Sequence, residues 1–559
     1  MSTNVSKQKR ADLTVKIKKI HKYIAGAKQD ENTRNLITWL SEIEKEISTK
    51  KFGLVFEEHR EAIDQTLETH TPVLTEDKGL FIDNGGQMNF LIEGDNLPAL
   101  KLLLKTHKGK VDVIYIDPPY NTGAKNWKYD NDYVDDKDLF KHSKWLSFMK
   151  KRLSIAKSLL NKNGSLICAI DENEQKHLGM ILEDIFGNAY SYDCITVIHN
   201  PGGIQGANFS YCHEYVYFVY PKRSNYITKE KRNDDELTPF RDWGKENSKR
   251  SGAPNCFYPI ITDGQKVIKI GDIPDNNFHP ISPNAKDGKL IYIYPIDNNG
   301  IERRWRFSRE SVMQIIDELI ITEKNGIYSV QRNKQHYTRK TVWTDARFNA
   351  NIHGTQFLSK YIDERFPFPK SLYLVMECLT VIEQKKNPII LDFFAGSGTT
   401  GHAVMKLNND DNGNRRFILC TNNENNICRD VTYQRIKRAM EKDGYSASLK
   451  YYKIDYIDIS EKIYYEYADE LLKHIRELVE LENCINFSGN DKIAIILTDE
   501  ELETFVANIA KQKSSGAYKV RKLYRAHNLL VSDKQAQALK SARISIHVIP
   551  DYYFGELET

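Results

Sequence analysis

The sequence contains no run of about 18 apolar residues, so it offers no helix able to span a bilayer. Its first twenty residues, MSTNVSKQKRADLTVKIKKI, start charged but lack the apolar segment of a secretory signal. Cysteine is sparse, eight in 559 residues, with no CxxC pair and no zinc-like spacing. Buried thiols in a reducing, cytoplasmic setting are the expectation, with no metal site. An excess of one charge is also missing: 80 Lys and Arg face 76 Asp and Glu, leaving +4. An anionic partner must therefore meet local basic clusters rather than a global field. No Gly-Lys-Ser/Thr phosphate loop occurs, and IPDYYFGELE near the C-terminus lacks the lysine of a PD-(D/E)xK nuclease, so motor and nuclease work are not expected here.

What is present is a chain too long for one simple core, for which two to four domains are expected. Residues 1–85 read as a helical, polar region; NTRNLITWLSEIEKEI has its apolar residues at helical spacing. From 86 to 220 strands and helices alternate (NFLIEGDNLPALKLLL, VDVIYIDPPY, FMKKRLSIAKSLL, GSLICAIDENE, HEYVYFVY), which implies a doubly wound, mostly parallel sheet. Between 221 and 354 that rhythm gives way to short strands and turns with basic and aromatic residues. It returns over 355–460, and 461–559 reads as a further small α/β unit. One α/β domain interrupted by an inserted module, with extensions at both ends, is the simplest account.

Two motifs carry chemistry. In IYIDPPYNTG, Ile114 to Gly123, a buried strand ends in Asp117 and is followed by two prolines and Tyr120. Proline fixes φ and removes an N–H donor, so the ladder stops there and the turn is stiff. Such a corner at the carboxyl end of a parallel strand lies where α/β sheets place their sites. In LDFFAGSGTTGHA, Leu391 to Ala403, an apolar strand enters a glycine-rich turn and then a helix. Gly396, Gly398 and Gly401 match G-x-G-x-x-G, so backbone can approach a ligand at a helix N-terminus. A nucleotide-dependent dehydrogenase would rest on that match alone and would leave the DPPY turn unexplained.

Together, DPPY followed by DFFAGSGTT resembles an amino-group DNA methyltransferase, and this motif order resembles the β class of adenine-N6 enzymes. GDNLPAL, Gly354-Thr355, FPFPKS at 366–371 and ILCTNNEN fit that class. GLVFEEH, HEYVYFVY, RRWRF and CTNNENNICRD further resemble the modification (Mod) subunit of type III restriction systems. The resemblance implies a Rossmann-like S-adenosylmethionine-dependent methyltransferase fold, with the inserted module at 221–354 as target-recognition domain. It implies catalysis at Asp117, Pro118, Pro119 and Tyr120, with S-adenosylmethionine as cofactor. The cofactor would meet Asp392, Phe394, Ala395, Gly396, Ser397, Gly398 and Thr399, with Glu424 at the ribose, Asp95 near the adenine and Lys370 near the carboxylate. Duplex DNA would be the substrate, contacted by Arg303, Arg304, Trp305, Arg306 and His213; the module's arginines and aromatics suit phosphate and base contacts. The implied partners are a second copy of the chain and a separate ATP-dependent restriction (Res) subunit. A solitary methylase and a cytosine-N4 enzyme are the alternatives; no proline-cysteine nucleophile of the cytosine-C5 kind occurs.

The chemistry is coherent without the family. An exocyclic adenine amine is a weak nucleophile because its lone pair is delocalised into the ring. A carboxylate and a rigidly held carbonyl, here Asp117 and Pro118, can accept both N–H groups and favour a pyramidal nitrogen. Tyr120 offers a flat face for a base that must leave the duplex to be reached.

Overall fold

The computed structural model describes residues 5–549 except 28–29, 49–53, 55, 130–131, 136, 204–207, 224, 233–236, 245, 364–365, 383–386, 461–469, 488–489, 513–518 and 527–528. At 5–8, 10, 46, 48, 124–135 and 510–512 it describes backbone alone. Residues 204–207 of NPGGIQGANFSYCHEY and the 550–558 part of IPDYYFGELE thus lie outside the described residues.

Two compact units form: residues 1–224 with 341–379 and 384–559, and residues 225–340 with 380–383. The first is built on a sheet whose described strands are β1 (His70–Glu76), β2 (Met88–Glu93), β3 (Val111–Ile116), β4 (Leu160–Ile170), β5 (Tyr190–Ile198), β6 (His213–Pro221), β7 (Val342–Trp343), β8 (Ile389–Asp392), β9 (Arg416–Thr421) and β10 (Ser448–Asp458). Their spatial order is β1-β10-β2-β9-β8-β3-β4-β6-β5-β7. Pairing is parallel from β10 through β4, and β6 runs antiparallel to both β4 and β5. This is the doubly wound, mostly parallel sheet that the strand–helix alternation implies.

The central strands are buried on both faces, which is why they read as mostly apolar runs. All six residues of VDVIYI in β3 are buried. Helices α1 (Asn96–His107), α2 (Lys141–Leu159), α3 (Gln175–Phe186), α4 (Thr399–Asp411) and α5 (Gln434–Asp443) connect or flank the strands. Leu100 and Leu103 of α1 and Leu153 and Ala156 of α2 pack with Ile114, Ile116 and Leu391 in one core. Burying each such aliphatic side chain contributes about 1.5–3 kcal/mol. All eight cysteines are free, and five are buried.

The first unit also holds an N-terminal pair of helices, Val5–Ala25 and Glu31–Ser48. Near its other end is a three-stranded parallel sheet of Ile493–Ile496, Lys522–Arg525 and Ser545–Val548. The second unit consists of short antiparallel sheets around Phe240, Tyr258, Ile260, Ile293, Trp305 and Val330.

Candidate active site

The site grows from the side-by-side placement of β3 and β8. Ile390 and Leu391 register with Val113 and Ile114, so Asp392 and Asp117 emerge at the same sheet edge. From β8 the chain continues through α4 to β9 on one side, while β3 continues through α2 to β4 on the other. The crevice at such a reversal of strand order is where open α/β sheets bind ligands.

The Asp117 turn is fixed on several sides. Trp145, fully buried on α2, donates from Nε1 to the Pro119 carbonyl at 2.7 Å. That occupies the Pro119 oxygen, whereas the Pro118 carbonyl accepts no hydrogen bond among the described residues. Asn121 closes the turn at φ 56°, a conformation asparagine tolerates better than most residues. Its Nδ2 donates to the Lys141 carbonyl at 3.1 Å and to buried Glu174.

Around the turn lies a compact charge cluster. Lys370 Nζ is 3.3 Å from Asp117 Oδ1 and 2.6 Å from Glu214 Oε2, and it also donates to the Tyr120 hydroxyl. The Tyr120 hydroxyl in turn donates to Glu214 Oε2 at 3.2 Å, and the ammonium lies 4.6 Å from the Tyr120 ring centre. Asp117 Oδ1 and Glu214 Oε1 are buried without a well-formed hydrogen bond. Burial pushes the Asp117 carboxyl above its ordinary value; Lys370 opposes this and Glu214 reinforces it. Burial also raises Glu214, but Lys370 and His199 outweigh it and leave that carboxyl below the usual range. Burial lowers Lys370, and Asp117 and Glu214 more than reverse it, so the ammonium stays charged.

The second wall is the glycine-rich turn. Gly396 and Gly398 have φ of 48° and 74°, the left-handed region that favours glycine. A Cβ on Gly398 would approach Thr432 Cγ2 to 3.2 Å, and one on Gly396 would meet the Phe366 ring at the same distance. Asp392 is buried; it accepts from Thr400 Oγ1 at 2.6 Å and from the Phe394 amide at 2.9 Å, bracing the turn from within. Burial nevertheless drives its pKa up to about 7.

Behind the turn lies Arg435 of α5, fully buried. Its Nη1 donates to Thr399 Oγ1 at 2.7 Å, Ser397 Oγ at 3.1 Å and the Ser397 carbonyl at 3.3 Å. Nη2 has no hydrogen-bond partner, and among the described residues no carboxylate pairs with the guanidinium. Burial lowers its pKa to about 9.

Of the residues expected from sequence, Asp117, Tyr120 and Lys370 meet in one cluster, and Asp392 through Thr399 form the adjoining turn. Lys370, expected beside a cofactor carboxylate, is engaged by Asp117, Tyr120 and Glu214. Phe394 is half-buried, with its ring 5.8 Å from that of Phe148, and Ala395 is buried. Asp95 caps α1, accepts from the Leu97 amide at 2.7 Å and faces Arg152 at 3.4 Å. Its neighbour Asn96 donates to the Phe393 carbonyl at 2.9 Å, linking that corner to the end of β8. Glu424 is exposed in the turn after β9, the strand adjacent to β8.

His213 opens β6 and contacts the Tyr215 hydroxyl at 3.0 Å. In the second unit, Arg303 pairs with Asp297 at 2.8 Å, Arg304 with Asp242 at 3.0 Å, and Arg306 is exposed. Trp305, grouped with the DNA contacts although taken alone it reads more readily as core than as a base wedge, is 2% exposed, stacks on Phe240 and donates to the Tyr258 carbonyl at 2.7 Å. It sits in the core of the second unit. Sequence reasoning missed Trp145 and Arg435; Glu214, which with His213 precedes the apolar strand of HEYVYFVY, reads from sequence as suited to a structural or base-pocket role.

A doubly wound sheet with a proline-stiffened acidic corner beside a glycine-rich turn defines a group-transfer enzyme that works on a ligand bound at its sheet edge. Residues 111–433 match the model of the N6/N4 methyltransferase family, described as DNA methylase, and the chain belongs to that family. It is 33% identical over 349 residues to the type II methyltransferase M.KpnI of Klebsiella pneumoniae, covering 59% of this chain and 79% of that one. It is 29% identical over 389 residues to the type III restriction-modification enzyme EcoPI Mod subunit of Escherichia phage P1, covering 61% and 58%. The match thus spans less than two thirds of that Mod subunit. A solved structure, the M1.HpyAVI–SAM complex, aligns at 16% identity with a TM-score of 0.29, covering 62% of this chain and 98% of that one.

The cofactor of this methyltransferase family is S-adenosylmethionine, and the residues at the ends of β8 and β9 fit it. The glycine turn leads into the N-terminus of α4, a position that favours an anionic group. Arg435 adds a buried positive charge behind it with an unpartnered N–H. An exposed carboxylate past the next strand, Glu424, suits ribose hydroxyls.

Proposed function

We propose that this chain transfers a methyl group to the N6 amine of adenine in duplex DNA, as the modification and specificity subunit of a type III restriction-modification system. The observation that supports this best is the pairing of an under-satisfied Asp117 oxygen with an unoccupied Pro118 carbonyl, one strand away from the glycine turn. Two acceptors held by a rigid backbone match the two N–H groups of one exocyclic amine. S-adenosylmethionine, when bound, supplies an electrophilic methyl group.

In this reading Asp117 must be ionised to accept, and Lys370 is the charge that opposes the upward push of burial. Lys370 also restrains Tyr120 through its hydroxyl, setting the ring as a face for the flipped base. Trp145 keeps the Pro119 carbonyl away from the amine, which leaves Pro118 as the second acceptor. The 225–340 unit would read the target sequence, with exposed Arg306 a better candidate for DNA than its paired neighbours. A second copy of the chain and a separate Res subunit would be its partners. No helix among the described residues is long and apolar enough to cross a membrane.

Asp117→Ala should lower methyl transfer at least about 10²-fold, the scale of losing one preorganised polar contact, with DNA affinity largely kept. Activity that survives in that variant would sink the mechanism. Mapping methylated bases by single-molecule sequencing of DNA from expressing cells distinguishes N6-adenine from N4-cytosine. Co-purification with a Res subunit tests the type III assignment against a solitary methylase.

A further inference from the structure

A second cluster of ligand-type side chains lies on the far side of the catalytic turn. Glu174, fully buried, immediately precedes α3, and His177 follows three positions later. His142 is the second residue of α2. The His142 Nδ1 lies 2.7 Å from Glu174 Oε1, and the His177 Nδ1 lies 2.7 Å from Oε2. The two ring centres are 4.5 Å apart, and the three potential ligand atoms all lie within 4.8 Å of one another.

We propose that His142, Glu174 and His177 bind one divalent transition-metal cation of the zinc class. Two imidazole nitrogens and a carboxylate form a donor set that borderline-soft cations take in three-ligand sites, with the fourth position left to water. Hard cations such as Mg²⁺ and Ca²⁺ prefer all-oxygen sets, so the two histidines select against them. Metal–ligand bonds of about 2.0–2.1 Å in tetrahedral geometry hold ligand atoms about 3.3 Å apart. The present 2.7 Å contacts would widen by about 0.6 Å, and the ligand atoms now up to 4.8 Å apart would draw in around the ion. The histidine side chains are 41% and 30% exposed, which gives them room to move and gives the ion a route in from solvent. To bind the ion, each ring must present an Nδ1 lone pair to it and carry its proton on Nε2.

The carboxylate is already oriented, because Asn121 donates to the same Oε1 that faces His142. Partners of this kind around a ligand commonly change metal affinity 10–100-fold. Asn121 follows Tyr120 directly, so the ion would brace the catalytic turn from behind. The cation-free arrangement, in which the carboxylate accepts from Asn121 and both imidazoles, is the competing account. The two make different predictions about uptake.

The test uses the full, untagged chain stripped of metal and titrated with Co²⁺ and then Zn²⁺, without DNA or cofactor. Wild type should take up one equivalent of Co²⁺ with the visible absorption of a four-coordinate site, and Zn²⁺ should displace it. His142→Ala combined with His177→Ala should abolish that absorption, and Glu174→Gln should weaken binding at least about tenfold. The double variant leaves buried Glu174 with Asn121 as its remaining partner and should melt below the metal-free wild type, so an unchanged far-UV circular dichroism spectrum is what separates lost binding from lost folding. Absence of saturable uptake by wild type, or equal uptake by the double variant, overturns the proposal. Neither result bears on methyl transfer, which the Asp117→Ala experiment tests separately.

Discussion

Lys370 holds buried Glu214 and half-buried Asp117 at once, and that arrangement governs what its loss should do. Removing one partner of a buried ionic cluster strands the others, at about 3–5 kcal/mol. Lys370→Met should therefore lower stability by that order in urea denaturation and also silence methyl transfer, since Asp117 would lose the charge that opposes the upward push of burial. Asp392 gives a contrasting pH signature. Its folded pKa is raised from 3.8 to about 7, so the folded state retains a proton that the unfolded state releases. The benefit is full below about pH 4 and is lost as pH rises through about 7, with a slope of up to about 1.4 kcal/mol per pH unit. Asp392→Asn cannot ionise. The stability difference between wild type and this variant should thus shift against wild type between pH 4 and 7 in denaturant titrations.

The glycine turn and the helix behind it act as one element. Gly398 requires its positive φ, and a left-handed alanine costs roughly 1–2 kcal/mol. A Cβ there would also press on Thr432, which immediately precedes Tyr433 and α5. Gly444, at the end of α5, has a similar φ of 72° but open space around it. Gly398→Ala should lower the melting temperature more than Gly444→Ala does. Only the former should weaken S-adenosylmethionine binding in calorimetry, by about tenfold or more, because only it displaces the turn that Arg435 supports.

Across the first unit, the sheet and the chain beyond it share a core. Glu480, on the helix Ile475–Asn483, is fully buried and accepts from Lys450 Nζ at 2.6 Å and the Tyr452 hydroxyl at 2.9 Å. Lys450, also fully buried, reaches Glu76 of β1 at 2.9 Å. Leu478, Val479 and Leu481 join the same apolar cluster as the central strands. Glu480→Ala should therefore lower the unfolding of the entire methyltransferase sheet, by about 3 kcal/mol or more. Calorimetry should register this as a shift of the main transition rather than as loss of a separate small one.

The sheet and both walls of the site are legible in the residues alone. Apolar runs such as VDVIYI and IILD could only be strands buried on both faces, and their ends carried the two acids. Pro118 with Pro119, and the glycines at 396 and 398, encode backbone shape locally, so the two turns were legible as text. What tertiary structure decided was which distant side chains met there. Glu214, Lys370, Arg435 and Trp145 are 97, 253, 318 and 28 positions from Asp117, and no local pattern links them to it. The same holds for His142 and Glu174, which lie 32 positions apart on two helix starts. The tertiary fold likewise decided between core and base contact for Trp305, setting it in a core. Turn chemistry is written in φ angles and donors over a few residues, whereas burial and charge pairing depend on what the fold brings against a side chain from elsewhere.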